Sequence, residues 1–404
     1  MTQRAVTRWS VPDVTFSESQ LAVARSVLEC DMGGSAQVEL AFLGGSLAAG
    51  LGHATSDVNL YAVGQAPAGT AAVFRSGGVV VRALALRSCA VHARLQLADA
   101  YRMTDAKHPQ ATASWGDLSA LVDMTLGRVL YASPQWRQLM ADLRTNAVRE
   151  LLIARHAADG AAAVSEAFGA LISGDLYTAY SVSEMALVSA CEAMLCAAGD
   201  LYFGRKYLSR RLSRVPMEQQ CRDELTRLLN FPWLVADGQD SQAVRRLVDD
   251  RLLAANMLLA SAVLEGWESD SGQPVHAVPA AGSSGGPRRS PYFAPVRYAD
   301  GFTLAGPGAA YDVSEPTLRL WRRLDGRPLG ELMCVLAKHE PQLAVLGLDD
   351  IDQAVQTLRR IGAVESTPSP PGMPQLGAWI EQAPSLRTGA LSVACSARLP
   401  FFSS

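Results

Sequence analysis

A chain of 404 residues exceeds the size at which one hydrophobic core keeps growing, so two or three domains are expected. Its 36 Lys and Arg against 39 Asp and Glu leave a formal charge of -3, which gives no basis for non-specific nucleic-acid binding. The apolar fraction of 49% is enough to fill cores, yet no run of about eighteen apolar residues occurs and MTQRAVTRWSVPDV at the start has no signal-like apolar segment. A soluble cytoplasmic protein with no membrane attachment is expected. The seven cysteines include no C-x-x-C pair and none near a histidine at metal-ligand spacing, so they read as buried free thiols.

In chain order, residues 17–30 (SESQLAVARSVLEC) read as a helix with a polar start and 37–44 (QVELAFLG) as a strand. A Gly-rich loop and a short helical stretch follow, then the strand Asp57–Val63 and a Val- and Leu-rich strand at 78–86. Residues 1–145 thus form a small α/β domain. From about Ser114 the pattern is nearly all helical, and Leu176, Tyr180, Leu187, Cys191 and Met194 recur at helical spacing. Helices at 146–172, 175–199, 217–229 and 241–266 make a helical bundle over 146–266. Gly, Ser and Pro dominate 267–290, which reads as a flexible linker. A separate module at 291–366 and a loosely ordered tail at 367–404 complete the chain.

Leu43 to Val63, LGGSLAAGLGHATSDVNLYAV, carries the chemistry. Gly44 and Gly45 allow a tight turn and close approach to a ligand. Ser46 offers a hydroxyl and a backbone N–H at the start of the short helix, where an anion is favoured. Alternation along the next strand puts Asp57 and Asn59 on one face, where two oxygen donors opposite a phosphate loop would hold magnesium.

These residues resemble the polymerase-β-like nucleotidyltransferase superfamily, with its Gly-Ser turn followed by an acidic-x-acidic strand. The likeness covers Gly44 to Leu60 closely and extends loosely to GRVLYASPQW, residues 127–136, as in small antibiotic-type nucleotidyltransferases. It implies a nucleoside triphosphate and Mg2+ as cofactors, with Gly44, Gly45 and Ser46 on the phosphates and Asp57 and Asn59 at the metal. The helical domain of that group supplies a general base, for which Asp175, Glu184 and Glu192 are candidates and Glu184 is preferred. It also supplies a phosphate-reaching lysine, which points to Lys206 in GRKYLSRRLSR. Two positions depart from the pattern. Asn59 stands where the family has Asp or Glu. The later strand that should bring a third carboxylate, GVVVRALALRS, holds Arg82 and Arg87 and no acid.

In the C-terminal segment, strands are expected within Phe293–Leu304, followed by a helix with Leu318, Leu320, Trp321 and Leu324. Asp325-Gly326 breaks that helix, Pro328-Leu329 starts a second, and 349–361 forms a third with Val355, Leu358 and Ile361 on its face. This winged-helix shape is similar to the PqqD-like module, or RiPP recognition element, through Tyr311, Val313, Trp321, Leu324, Asp325, Gly326, Glu331, Leu358 and Gly362. An ordinary winged helix for DNA or for packing is the other reading, against which the acidic run 349–352 counts. The likeness implies capture of a precursor leader peptide as an added strand beside the last helix, with Arg359 and Arg360 as contacts to an acidic leader.

Together the two likenesses imply a tailoring protein of ribosomal peptide natural-product biosynthesis that transfers a nucleoside monophosphate to a peptide hydroxyl or carboxylate, with Asp57 at the metal and Glu184 as base. The alternatives are a catalytically inactive scaffold that delivers precursor peptide to other biosynthetic enzymes, and an antibiotic nucleotidyltransferase.

Overall fold

The computed structural model describes residues 13–64, 71–100, 113–230, 241–266, 285–298, 301–365, 386–388 and 391–395. Among these, 13–148 and 149–395 form two compact units.

The first unit is built on a mixed sheet. β1 (Val38–Gly44) lies between β2 (Val58–Gly64) and β5 (Arg128–Ala132), antiparallel to both. β2 runs parallel to β4 (Val79–Arg87), and β3 (Ala71–Ser76) closes that side antiparallel to β4. α1 (Glu18–Asp31) starts at a capping box in which Ser17 accepts from the Gln20 backbone and Gln20 reaches back to Ser17. Its buried stripe, Leu21, Ala24, Val27 and Leu28, packs with Ala41 and Leu43 of β1 and Val58 and Leu60 of β2. Strand alternation therefore turns Phe42, Gly44, Asn59 and Tyr61 to the opposite face. On that face lie α3 (Ser88–Ala100) and α4 (Trp115–Leu126), the latter capped by Ser114. α2 (Gly34–Gln37) and α5 (Pro134–Ala141) complete the unit. β5 shows why the first unit extends past Ser114, where nearly continuous helix was expected: the strand after α4 returns to pair with β1.

The second unit holds the body of α6 (Thr145–Ile172), α7 (Leu176–Ala197), the short α8 (Leu208–Leu212), α9 (Gln219–Leu229) and α10 (Ser241–Glu265). α10 is buried on nearly every side, because α7 and α9 pack against it on the bundle side and β7 (Ala294–Tyr298) on the other. Even Arg251 is fully buried, its guanidinium donating to the Leu228 carbonyl at 3.0 Å and the Tyr180 carbonyl at 3.1 Å while lying 4.3 Å from the Tyr180 ring centre. Such pairing is what permits a charge in the interior.

The C-terminal segment is a meander of β7, β8 (Gly301–Gly306) and β9 (Ala309–Val313) followed by α11 (Glu315–Arg323), α12 (Leu329–His339) and α13 (Leu348–Arg360). Trp321 is fully buried and donates to the Ala363 carbonyl at 2.8 Å, with Leu324, Val355 and Leu358 buried as well. The segment does not stand apart. Asn256 of α10 donates to the Pro291 carbonyl at 2.9 Å, Tyr292 donates to Asp249 at 2.9 Å, and Arg322 meets Glu265 at 2.5 Å. Phe293, Ala294 and Val296 are buried, and the packing of β7 on α10 supplies the cover such residues need. The linker expected at 267–290 is correspondingly shorter in its structured part: Arg288–Arg289 form β6, paired with β10 (Val364–Glu365), while 267–284 lie outside the described residues. In the tail, β11 (Leu386–Thr388) and β12 (Leu391–Cys395) join the meander sheet in the order β11-β12-β9-β8-β7. The thiols also depart from expectation: Cys191, Cys196 and Cys221 are buried, but Cys30, Cys89 and Cys334 are exposed.

On β10, burial pushes the Glu365 carboxyl up to about 7, with Arg288 pulling the other way and Asp249 reinforcing the rise. Burial likewise raises Asp249 to about 6. A raised carboxyl pKa means that the folded chain holds a proton the unfolded chain releases, so this contribution falls as pH rises through roughly 4.5 to 7. Glu365→Gln is therefore expected to melt at a higher temperature than the parent at pH 8 and at the same temperature near pH 4. Thermal scans across that range check it, and equal melting at pH 8 contradicts it.

Candidate nucleotide site

The loop after β1 turns through Gly45 (φ 79°) and Gly50 (φ 69°), both left-handed positions that favour glycine. Ala49 N–H donates to the Gly45 carbonyl at 3.3 Å and Leu51 N–H to the Ser46 carbonyl at 2.7 Å, closing a single turn. The short helix expected after Ser46 does not form, so no helix N-terminus faces an anion there. The glycines are needed for close contact with the protein itself. A Cβ on Gly44 would lie 2.9 Å from the Asp123 side chain, and one on Gly45 2.4 Å from the Asn59 amide nitrogen.

Asp123, from α4, sits under this loop. One carboxylate oxygen accepts the Gly45 N–H at 2.8 Å and the other accepts the Tyr61 hydroxyl at 2.6 Å. Tyr61 in turn stacks on Phe42 at 4.9 Å between ring centres. Burial pushes the Asp123 carboxyl up, while the two hydrogen bonds pull it back. An internal carboxylate thus takes the Gly45 N–H, which in a phosphate loop would face the ligand. Sequence reading missed Asp123 because it stands 78 positions from Gly45, and an acid between Val122 and Met124 was the signal it offered.

Asp57 and Asn59 do share a side of the sheet. The parallel register of β2 and β4 places Arg82 beside Asn59, on the strand where the resemblance implies a third carboxylate. The Arg82 guanidinium meets the Asp57 carboxylate at 2.5 Å. One carboxylate, one amide and one guanidinium have formal charges that cancel. A guanidinium donates hydrogen bonds and has no lone pair to give a metal. Mg2+ favours oxygen ligands with carboxylate charge, so these side chains do not fit the metal pair expected here. Among the described residues, no group of three or more His, Cys, Asp and Glu is placed to hold a metal. Farther along the same face, a cavity of about 240 Å³ opens between Phe42, Tyr61, Leu84, Leu86, Arg94 and Asp123. It is smaller than the roughly 300 Å³ at which ligand clefts begin.

The remaining candidates lie in the second unit, each with local partners. Glu184 is ion-paired with Arg205, which occupies the carboxylate assigned as general base. Lys206 is exposed, its amine 4.9 Å from the Tyr207 ring centre. Glu192 is buried against Arg211 and also accepts the Gly204 N–H at 3.0 Å, which pins the chain between α7 and α8. Asp175 caps α7, accepting the Thr178 N–H at 3.0 Å. On α13 the buried stripe is Ile351, Ala354, Val355 and Leu358; Arg359 is half-buried and Arg360 is exposed, donating to the Thr357 hydroxyl at 3.2 Å.

No family model matches the chain, and no curated protein matches it. Among solved structures, a nucleotidyltransferase-like protein from Exiguobacterium sibiricum 255-15 is similar over 61% of this chain and 77% of its own, at 12% identity and a TM-score of 0.37. At that level of likeness no residue role passes from one protein to the other.

Asp123→Ala leaves the Gly45 N–H and the Tyr61 hydroxyl without their acceptor. The expected cost is about 1–3 kcal/mol of stability. Urea unfolding of the full chain measures it, and a loss under about 0.5 kcal/mol, the range of an ordinary surface change, would show that the loop does not depend on this carboxylate.

Proposed function

We propose that this chain is a nucleotidyltransferase-fold protein without transferase chemistry, which serves as an adaptor holding a ribosomal precursor peptide for partner enzymes. The observation that carries the first half is the set Asp57, Asn59 and Arg82. A two-metal transfer site concentrates negative charge on two cations, and here the formal charge of the three side chains is zero. The ion pair itself is weak, since Arg82 is largely exposed and exposed pairs contribute about 0–1 kcal/mol. The shortage of donors is therefore the stronger obstacle: if Arg82 swings away, Asp57 remains the single carboxylate of the three. The base assigned to that transfer, Glu184, is ion-paired with Arg205, a contact as exposed on its arginine side as Asp57–Arg82 and no stronger an obstacle.

The second half rests on the C-terminal segment. Three antiparallel strands followed by three helices around Trp321 agree with the winged-helix resemblance, and a sheet edge beside a helix is a common way to hold an extended peptide. The absence of any described helix long and apolar enough to cross a membrane is compatible with an adaptor that works in solution.

Incubation of the full chain with each labelled nucleoside triphosphate, Mg2+ or Mn2+, and the precursor peptide encoded beside the gene is expected to give no labelled peptide and no metal-dependent loss of triphosphate. A labelled peptide whose formation stops in Asp57→Asn would overturn the adaptor reading and restore the transferase.

A further inference from the structure

β12 is the last described strand of the chain, and it lies between β9 and β11 in the C-terminal sheet. Its backbone pairs with β9 through Val393 opposite Val313, Ala394 opposite Asp312 and Cys395 opposite Tyr311. Leu391 and Val393 are fully buried, and the strand packs on α11 and α13. Between them, Ser392 is held through its backbone: its N–H donates to the Ser314 hydroxyl at 3.1 Å and the Thr317 hydroxyl at 3.0 Å, and its carbonyl accepts the Ser314 N–H at 3.1 Å.

The rest of the segment is bonded by contacts that bypass β12. β9 pairs with β8 along its whole length on the other side. Trp321 is tied to Ala363, and Arg319, Arg322 and Arg323 converge on the buried Glu340. Ser314 also caps α11, its hydroxyl accepting the Thr317 N–H at 3.3 Å. On its outer side β12 pairs, among the described residues, with β11. Residues 366–385, between β10 and β11, carry Pro368, Pro370, Pro371, Pro374 and Pro384.

We propose that β11 and β12 are an exchangeable resident of the β9 edge, displaced by an extended peptide that presents an aliphatic side chain, one non-proline residue and a second aliphatic side chain. The resident displays the chemistry that the site accepts. Two side chains two positions apart enter the same face, as Leu391 and Val393 do. The middle residue must have an N–H for Ser314 and Thr317, so proline is excluded there. Because it belongs to the same chain, β12 competes at an intramolecular effective concentration. An incoming peptide must exceed that, which makes the edge selective. This inference deepens the adaptor reading by naming the edge and the sequence pattern it takes, and its test does not depend on the precursor.

The probe is a fluorescein-labelled peptide with the sequence of residues 386–395 and Cys395→Ser. It is titrated by anisotropy into the full chain, into full-length Val393→Asp, and into a chain stopped after Ser385. Binding to the shortened chain and to Val393→Asp is expected to be at least ten-fold tighter than to the parent. A probe carrying Ser392→Pro is expected to lose ten-fold or more. Equal affinity for the parent and both variants, or no binding to variants that keep the near-ultraviolet signal of buried tryptophan, overturns the proposal. Loss of the folded transition in both variants overturns it too, because β12 is then an integral strand. Unlabelled precursor peptide added as competitor separates the two readings: if the probe binds and the precursor fails to displace it, exchange stands and the adaptor reading falls.

Discussion

The carboxylate of Asp57 is the one negative charge among the three positions where the first unit would bind metal, and Arg82 meets it from the neighbouring strand. A divalent cation placed about 4 Å from that guanidinium would be repelled by roughly 2 kcal/mol even at the dielectric of bulk water. Moving the arginine aside would leave a carboxylate and an amide. The loop that would carry the phosphates follows the same logic, since Asp123 accepts the Gly45 N–H from below. Glycines that read as space for a ligand are instead space for Asp123 and Asn59. The loop and strand of the resemblance are present, and their polar groups are bonded by residues from elsewhere in the unit, Asp123 of α4 and Arg82 of β4.

In the second unit, α10 bears the corresponding burden. It covers the bundle on one side and the C-terminal strands on the other, and Asn256, Asp249 and Glu265 on it each hold a piece of the following segment. A helix so placed must be apolar almost all round, and the run from Leu252 to Leu264 is, with Asn256 and Ser261 as its polar members. The C-terminal segment is thereby fixed to α10. Its free variable is the edge of β9, where the chain's own C-terminal strand lies.

Much of this was legible in the residues. α1, β1, β2, β4, α7 and α10 fall within one or two positions of where polar starts, alternation and helical spacing put them, because those signals are local. The side of the sheet that carries Asp57 and Asn59 followed from alternation alone. Arg82 was visible as a basic residue on an acid-expecting strand, but its bond to Asp57 depends on strand register, which one strand's sequence does not encode. Asp123 was invisible for the same reason: the partner of a buried acid lies far away in the chain. β3, β6 and β11 were missed because they are edge or very short strands, and β12 because its pairing with β9 comes from far back in the chain. The composition near 285–290 read as linker, yet Arg288 and Arg289 pair with Val364 and Glu365. Composition describes a segment's own preference and not the faces that neighbours leave uncovered.

The central claim is that the first unit lacks a divalent-metal site because of the residues at 57, 59 and 82. Titration of Mn2+ followed by electron paramagnetic resonance tests it directly, since bound and free ion differ in signal. The parent chain is expected to bind no ion at this position at micromolar Mn2+, and a chain carrying both Asn59→Asp and Arg82→Asp is expected to gain one. An ion bound tightly by the parent and lost in Asp57→Asn would contradict the account.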